Sequence, residues 1–197
     1  MAEGYFIISL DFDGVLAQGF DVKKKYAKKW FGVEITPDSS KKEGFNTLMK
    51  TLSKNINYRD LMDPLNELHI MEYTLPQGCV EVLNRLFTQN CRFVVITSRN
   101  EHDYPYAVKF IKKNLDGLIK YIHNTKNEPK NRLIERIRPR VHVDDDLTKL
   151  EEIRQFPVEL IYFRQIENQN EKAANSILEA CSFYDLEEIV LKMRNSV

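Results

Sequence analysis

Short apolar runs alternate with longer amphipathic segments along most of this chain. The first, second and fifth of these runs are almost continuously apolar, which is typical of strands covered on both faces of a sheet. Each is rich in β-branched and aromatic residues, which favours a strand over a helix. The five predicted strands cover residues 5–11, 92–98, 118–124, 140–146 and 158–164.

The segments between the later runs have the period of amphipathic helices. Apolar residues recur every three or four positions in 76–90 and 104–115, and 129–138 begins with a proline, which suits a first helical turn. A last helix is predicted over 182–195, started by Ser182 and Asp185. Alternating strands and helices predict a three-layer, Rossmann-like α/β fold with a parallel sheet.

Residues 16–75 interrupt this alternation, because they contain no convincing strand. We therefore predict a core formed by 1–15 and 76–197, with 16–75 as a small helical cap inserted after the first strand. Within the insertion, helical patterns cover 20–31, 41–55 and 58–73.

The first helix of the insertion places Val22, Tyr26 and Trp30 on one stripe, with five lysines on the remaining faces. This pattern is typical of an amphipathic helix with a solvated side. Contact between one of these lysines and a substrate is the less favoured alternative.

Composition narrows the classes of function. The 197 residues carry no formal net charge, so no global field favours a nucleic acid polymer or an anionic membrane as partner. Three widely spaced cysteines indicate a reducing compartment rather than disulfide bonds. There is no signal-peptide pattern and no apolar run of roughly 18 residues, so we expect a cytoplasmic protein without a membrane span, although secretion by a signal-less route stays open.

The stretch YFIISLDFDG places Asp11, Asp13 and Gly14 at the end of the first predicted strand. Residues i and i+2 of an extended chain point to the same side, so both carboxylates can face one ligand. Two such charges about 4 Å apart repel by roughly 4 kcal/mol at an effective dielectric near 20. A divalent cation or a shared proton is needed to offset that repulsion.

Three more polar clusters follow predicted elements and would complete a site at the carboxyl edge of the sheet. Thr97 and Ser98 end the second strand and offer hydroxyl groups to an anionic oxygen. Lys130 opens a helix, and Lys126 lies just upstream as the alternative lysine. The acids 144–146 end the fourth strand and form a hard-oxygen environment that suits Mg²⁺.

The motifs DFDGV, VVITS, a helix-opening lysine and VHVDDD, in this order, resemble those of the haloacid dehalogenase superfamily of phosphotransferases. The resemblance covers about 5–164, and the helical insertion stands where that superfamily places a C1-type cap. It implies that Asp11 attacks phosphorus to form an aspartyl-phosphate and that Asp13 acts as general acid and base. Thr97 would bind a phosphoryl oxygen, and Lys130 would offset negative charge and restrain Asp11.

The resemblance also implies how Mg²⁺ would be bound. Its ligands would be the Asp11 carboxylate, the Asp13 backbone carbonyl and an acid of the fourth motif, with Asp145 the direct ligand and Asp144 supporting it. Asp146 is expected to cap the following helix instead.

Some assignments stay open on the residues alone. Either Thr97 or Ser98 faces the site, with Thr97 favoured, and Ser98 remains a candidate to bind substrate. Arg99 is a third candidate for contact with substrate or phosphate, and a surface salt bridge is an equally good interpretation of it.

The leading hypothesis for function is a phosphomonoester hydrolase whose substrate is a small phosphorylated metabolite or a nucleotide. A protein phosphatase acting on phosphotyrosine or another phosphorylated side chain is the alternative. A phosphomutase is a further alternative. A catalytically inactive binding module is disfavoured because every catalytic position is filled.

Overall fold

A computed structural model describes residues 4–126, 128–168, 171–174 and 176–195, and its central feature is a six-stranded sheet. All paired strands run parallel, in the order β3-β2-β1-β4-β5-β6. The predicted Rossmann-like α/β fold is confirmed. The strands are β1 (Phe6–Leu10), β2 (Cys91–Thr97), β3 (Ile119–Asn124), β4 (Val141–Asp144), β5 (Glu159–Phe163) and β6 (Leu178–Ala180).

Helices connect the strands, as a parallel sheet requires. None of them, within the described ranges, is long and apolar enough to cross a bilayer. The helices are α1 (Phe20–Phe31), α2 (Lys42–Thr51), α3 (Tyr58–Pro64), α4 (Cys79–Thr88), α5 (Tyr104–Asn114), α6 (Asn131–Ile137), α7 (Leu147–Ile153) and α8 (Phe183–Asn195).

Apolar side chains are buried in two clusters that the sheet residues belong to. Ile8, Leu10 and Val95 belong to the larger cluster, which also includes residues of α1 to α5 and α8. Ile96 and Tyr162 belong to the smaller cluster with residues of α6 and α7. Because successive residues of a strand point to opposite faces, the sheet is apolar on both sides and its strands read as continuous apolar runs.

The sixth strand, β6, was not predicted. It contains only three residues, of which two are exposed, and it pairs with β5 at the edge of the sheet. A run this short has no detectable period, so only its pairing with β5 identifies it as a strand.

Helices α1, α2 and α3 all lie between β1 and β2 in the sequence, within residues 16–75, which we call the helical insertion. The two ends of this insertion are joined by a bridge in which Gln18 and Thr74 exchange backbone hydrogen bonds of 2.9 and 3.2 Å. The chain therefore leaves and re-enters the sheet region through two adjacent segments, close to the end of β1.

Candidate active site

The carboxyl ends of β1 and β4 bring Asp11 and Asp144 together. Leu10 pairs with Val143 in the parallel register, and the Asp11 backbone N–H donates a 2.9 Å hydrogen bond to the Val143 carbonyl. Asp11 directly follows β1, and Asp144 is the last residue of β4. Both side chains are almost completely buried, so this part of the site is a fixed feature of the sheet edge.

Lys130 joins these two acids. Its Nζ lies 2.7 Å from Asp11 Oδ1 and 2.6 Å from Asp144 Oδ2, and the lysine is only 2% exposed. It immediately precedes α6, so the start of that helix delivers the ammonium group to the acids. Lys126, the alternative lysine, instead forms an exposed ion pair with Glu101.

Asp11, Asp144 and Asp145 each offer a carboxylate oxygen, and these oxygens lie within 4.8 Å of one another. Burial, together with the charge of Asp144, raises the pKa of Asp11 although Lys130 opposes the shift. Burial and the charges of Asp144 and Asp11 raise the pKa of Asp145 well above its ordinary value. The cluster thus has more negative charge than Lys130 neutralises, and its hard oxygen donors fit Mg²⁺.

A second layer of polar contacts supports Asp144. Burial tends to raise its pKa, but the charge of Lys130 and the hydrogen bond with His142 outweigh burial and lower the pKa. His142 is fully buried, with Nε2 3.4 Å from Asp144 Oδ2 and Nδ1 2.8 Å from Ser9 Oγ. The Asp146 backbone N–H donates to Asp144 Oδ1 at 3.1 Å. Asp144 is therefore fixed from several sides as an ionised carboxylate.

Asp13 has a different partner, Arg99. The guanidinium donates two hydrogen bonds to the Asp13 carboxylate, of 2.8 and 2.6 Å, and a third of 3.1 Å to Asn66 Oδ1 in the helical insertion. Arg99 thus forms a salt bridge, one of the two interpretations that the sequence left open, but the arginine is only 8% exposed, so the pair is buried on that side. Burial would raise the pKa of Asp13, but Arg99 outweighs that effect and lowers it.

Thr97 and Ser98 lie at the end of β2, the strand next to β1. Thr97 is 1% exposed, and its carbonyl accepts a 2.9 Å hydrogen bond from the Thr125 backbone N–H. Ser98 is partly buried. The register of β1 and β2 thus places both hydroxyl residues at the same edge of the sheet as Asp11, where the sequence predicted them.

Asp145 is held by a segment that sequence reasoning missed. Gln165 Nε2 donates a 2.8 Å hydrogen bond to Asp145 Oδ2, and Asn168 Nδ2 donates a 2.9 Å hydrogen bond to the Asp145 carbonyl. Gly14 leaves room for this arrangement: it has φ +76°, and a Cβ atom there would lie 2.2 Å from Asp145 Oδ2 and 2.3 Å from Gln165 Nε2. The glycine of the DFDG motif is therefore required by contact as well as by backbone conformation.

Lys149 is a second residue that the sequence analysis missed. It lies in the first turn of α7, where Asp146 caps the helix by accepting hydrogen bonds from Thr148 and Lys149, as predicted for Asp146. The charge of Asp11 is the largest of the influences that raise the pKa of Lys149. Its signal in the sequence was a lysine three positions after the acid cluster, which becomes meaningful only when α7 is packed against the site.

Lys23 corrects the prediction that the lysines of α1 all lie on a solvated face. Its Nζ lies 2.8 Å from Glu167 Oε1, and the two side chains are 13% and 6% exposed. Lys23 and Asp13 also line a cavity of about 300 Å³ between the insertion and the sheet edge. Tyr58, Arg59 and other residues of the insertion form its far wall, so the cavity is open to the half-exposed carboxylate of Asp13.

Comparison with known proteins identifies the family to which this chain belongs. The sequence over residues 5–196 matches the family profile described as 5′ nucleotidase, deoxy (pyrimidine), cytosolic type C protein. No curated protein sequence matched the chain.

Solved structures share the fold at low sequence identity. YfnB from Bacillus subtilis bound to magnesium has a TM-score of 0.66 and 14% identity, with 95% of this chain and 99% of that one covered. A haloacid dehalogenase-like family hydrolase from Xanthomonas campestris has a TM-score of 0.64 and 13% identity, with 99% of this chain and 98% of that one covered. CbbY from Rhodobacter sphaeroides in complex with phosphate has a TM-score of 0.62 and 15% identity, with 92% of this chain and 96% of that one covered. The resemblance to the haloacid dehalogenase superfamily is confirmed.

Proposed function

We propose that this chain, which belongs to the 5′ nucleotidase, deoxy (pyrimidine), cytosolic type C family, is a Mg²⁺-dependent phosphatase of nucleoside 5′-monophosphates. The chain is a hydrolase of the haloacid dehalogenase superfamily. The family match supports the substrate class. The observation that carries the proposed chemistry is the buried arrangement of Lys130 between Asp11 and Asp144, with Asp145 beside them at the sheet edge. Such an arrangement places a carboxylate nucleophile next to groups that offset phosphate charge.

Mg²⁺ would be held by the Asp11 carboxylate, the Asp13 backbone carbonyl and the Asp145 carboxylate, with Asp144 in support. The donor set fits the ion, because carboxylate oxygens of Asp11, Asp144 and Asp145 lie within 4.8 Å of one another. The negative charge of three carboxylates also exceeds the single positive charge of Lys130. When bound, the ion supplies charge neutralisation for a phosphate dianion approaching a carboxylate.

Asp11 is the proposed nucleophile because Lys130 fixes the orientation of its carboxylate. Lys130 donates to Asp11 Oδ1, so this oxygen is restrained and the other can be presented to phosphorus. Attack forms an acyl phosphate on Asp11 and breaks the bond between phosphorus and the ester oxygen. Thr97, at the end of the neighbouring strand, is the proposed hydrogen-bond donor to a phosphoryl oxygen.

Asp13 is the proposed acid and base. Because Arg99 keeps Asp13 ionised, Asp13 must first take up a proton, from the bound phosphate monoanion or from solvent, and it then gives this proton to the departing ester oxygen. As a carboxylate again, it takes a proton from the water that hydrolyses the acyl phosphate. Its position suits this role, because the side chain is 46% exposed and lines the cavity in which we place the substrate. The carboxylate is oriented by the fork of Arg99.

The cavity supports a small substrate rather than a protein. Its volume of about 300 Å³ lies at the lower end of the range for small-molecule pockets. Its lining mixes cations with acids, and Lys42, Arg59 and the ring of Tyr58 are the groups that we propose contact a phosphorylated, ring-containing ligand. We propose that the helical insertion acts as the cap over this cavity and selects nucleotides through these side chains.

The test is phosphate release from a panel of substrates, measured with Mg²⁺ and with EDTA. The panel contains pyrimidine and purine nucleoside 5′-monophosphates in ribo and deoxy forms, 3′-monophosphates, sugar phosphates and phosphotyrosine peptides. We expect hydrolysis of 5′-monophosphates, fastest with deoxypyrimidines, that is abolished by EDTA. Conversion of a sugar phosphate that occurs only when a bisphosphate is added would instead indicate a phosphomutase. Fastest phosphate release from the phosphotyrosine peptides would indicate a protein phosphatase.

Asp11→Asn is the decisive variant, because it keeps the size of the side chain and removes the nucleophilic carboxylate. We expect loss of activity and loss of the acid-stable phosphoprotein that rapid quenching should reveal in the wild type. Asp116→Asn is the control, since Asp116 is exposed in the loop before β3, at the opposite edge of the sheet. Activity that persisted in EDTA or in Asp11→Asn would refute the proposal.

A further inference from the structure

We propose that Glu167 is a positioning residue that couples the helical insertion to Asp145. Glu167 lies in a short helical turn, Ile166–Asn168, that follows β5. Its neighbours in the sequence hold Asp145, while its own side chain is held by the insertion. The inference rests on the proposed function in one respect, that Asp145 is a ligand of Mg²⁺.

On the core side, the turn and the residue before it hold Asp145 through two hydrogen bonds. Gln165 donates to the Asp145 carboxylate, and Asn168 donates to the Asp145 carbonyl and, at 3.1 Å, to the Phe163 carbonyl. The Gln165 backbone N–H in turn donates to Asn168 Oδ1 at 2.7 Å. Asn168 is 2% exposed, so it is buried together with the backbone groups to which it donates.

On the other side, the helical insertion provides the two side-chain donors to Glu167 that are found among the described residues. Lys23 of α1 lies 2.8 Å from Glu167 Oε1, and the hydroxyl of Ser40 donates to the same oxygen. Glu167 is 7% exposed and Ser40 is fully buried. The carboxylate is therefore satisfied by partners that belong to a different part of the chain from its own turn.

This arrangement makes the two parts interdependent. A buried carboxylate that loses its donors keeps the cost of its burial without compensation, so Glu167 favours the position of the insertion seen here. Any shift of Glu167 is transmitted through the adjacent peptide groups to Gln165 and Asn168, and from them to Asp145. Coupling of this kind is reciprocal: docking of the insertion orders the metal ligand, and metal binding strengthens the docking.

A second ion pair between the same two parts provides a control. Lys41 of the insertion lies 2.6 Å from Glu171 Oε1, but these side chains are 41% and 40% exposed. Glu171 contacts the Tyr162 hydroxyl rather than Asp145. The Glu171 backbone N–H also donates a 3.0 Å hydrogen bond to the Asn168 carbonyl, a contact that loss of the Lys41 ammonium does not remove. Replacing Lys41 therefore weakens the contact between the two parts but leaves in place the side chains of Gln165 and Asn168 that donate to Asp145.

The test measures Mg²⁺ binding by calorimetry in the absence of substrate. We expect Glu167→Gln and Lys23→Met to raise the dissociation constant roughly fivefold or more, as the usual size of coupling between sites suggests. Gln165→Ala, which removes a direct contact to the ligand, should raise it about tenfold. Lys41→Met should leave it unchanged. Amide exchange in α1 should also slow when Mg²⁺ is added to the wild type, and slow less in Glu167→Gln.

The outcomes separate this inference from the proposed function. Failure of the wild type to bind Mg²⁺, or unchanged binding in Asp145→Asn, would overturn the proposed function and this inference with it. Binding that depends on Asp145 but is equal in the wild type, Glu167→Gln and Lys23→Met would overturn the coupling alone. An equal loss in Lys41→Met would also overturn it, because general loosening would then explain the effect. Lys23→Met decides the matter if Glu167→Gln does not fold.

Discussion

Asp11 and Asp13 are two residues apart, yet they belong to two unlike halves of the site. The buried half contains Asp11, Lys130 and Asp144, none more than 2% exposed. In the half that faces the insertion, the Asp13 side chain is 46% exposed and paired with Arg99. The pKa of Asp11 is raised by burial, whereas that of Asp13 is lowered because Arg99 outweighs burial.

The difference indicates a division of work between a fixed half and a half that meets the substrate. The buried groups are anchored to strand ends and cannot reorganise without disturbing the sheet. Preorganised charges of this kind stabilise charge that develops in a transition state. Asp13 and Arg99 instead line the cavity and contact the insertion through Asn66, so their geometry depends on the position of the insertion.

Breaking the buried half should have the largest effect. Lys130→Met removes the cation that Asp11 and Asp144 share in a buried site, which should cost about 3–5 kcal/mol of unfolding free energy. Activity should fall by at least about 10²–10³-fold, because a group that offsets transition-state charge is lost. Chemical denaturation and kcat measured on the folded fraction check both effects.

The matched control for this variant is Lys126→Met, whose side chain is 66% exposed. Its unfolding free energy should stay within about 0.5 kcal/mol of the wild type. A comparable loss of activity in both variants would contradict the separation of the two lysines.

Disturbing the half that faces the insertion should have a smaller effect. Arg99→Lys keeps the positive charge but cannot form the double hydrogen bond to Asp13 and also reach Asn66. We expect kcat to fall about tenfold, the equivalent of one charge-assisted hydrogen bond. Arg154→Lys, an exposed arginine on the far side of α7, is the control and should change nothing. A kcat equal to the wild type in Arg99→Lys would show that the fork does not orient Asp13.

The smallest effect should come from replacing His142, the buried residue next to Asp144, and it should appear in the dependence of stability on pH. Burial lowers the pKa of His142 below its ordinary value of about 6.5. As the pH falls through that value the unfolded chain binds a proton that the folded protein does not, so stability decreases until the folded pKa is reached. Unfolding free energies between about pH 7.5 and 5.5 should therefore fall less in His142→Gln than in the wild type.

Identical slopes in the wild type and His142→Gln would mean that His142 takes up its proton equally in both states.

Several parts of the site followed from local patterns. Asp11 and the acids 144–146 were placed by apolar runs that end in carboxylates, since parallel strands bring such ends to one edge. Other parts had no local signal. Arg99 and Asp13 are 86 positions apart in the sequence, and Gln165 and Asp145 are 20 positions apart. Neither glutamine nor asparagine stands out in a loop, so Gln165 and Asn168 could not be found from the sequence.

The sequence by itself determined the alternation of strands and helices and the polar residues at the strand ends, because period and burial are local properties of a chain. The tertiary structure decided which lysine reaches Asp11, which cation orients Asp13, and that Lys23 of an apparently solvated helix face is buried against Glu167. Those choices depend on how helices pack against the sheet and against each other. Charged side chains then pair with whatever opposite charge shares their burial, at any distance along the chain.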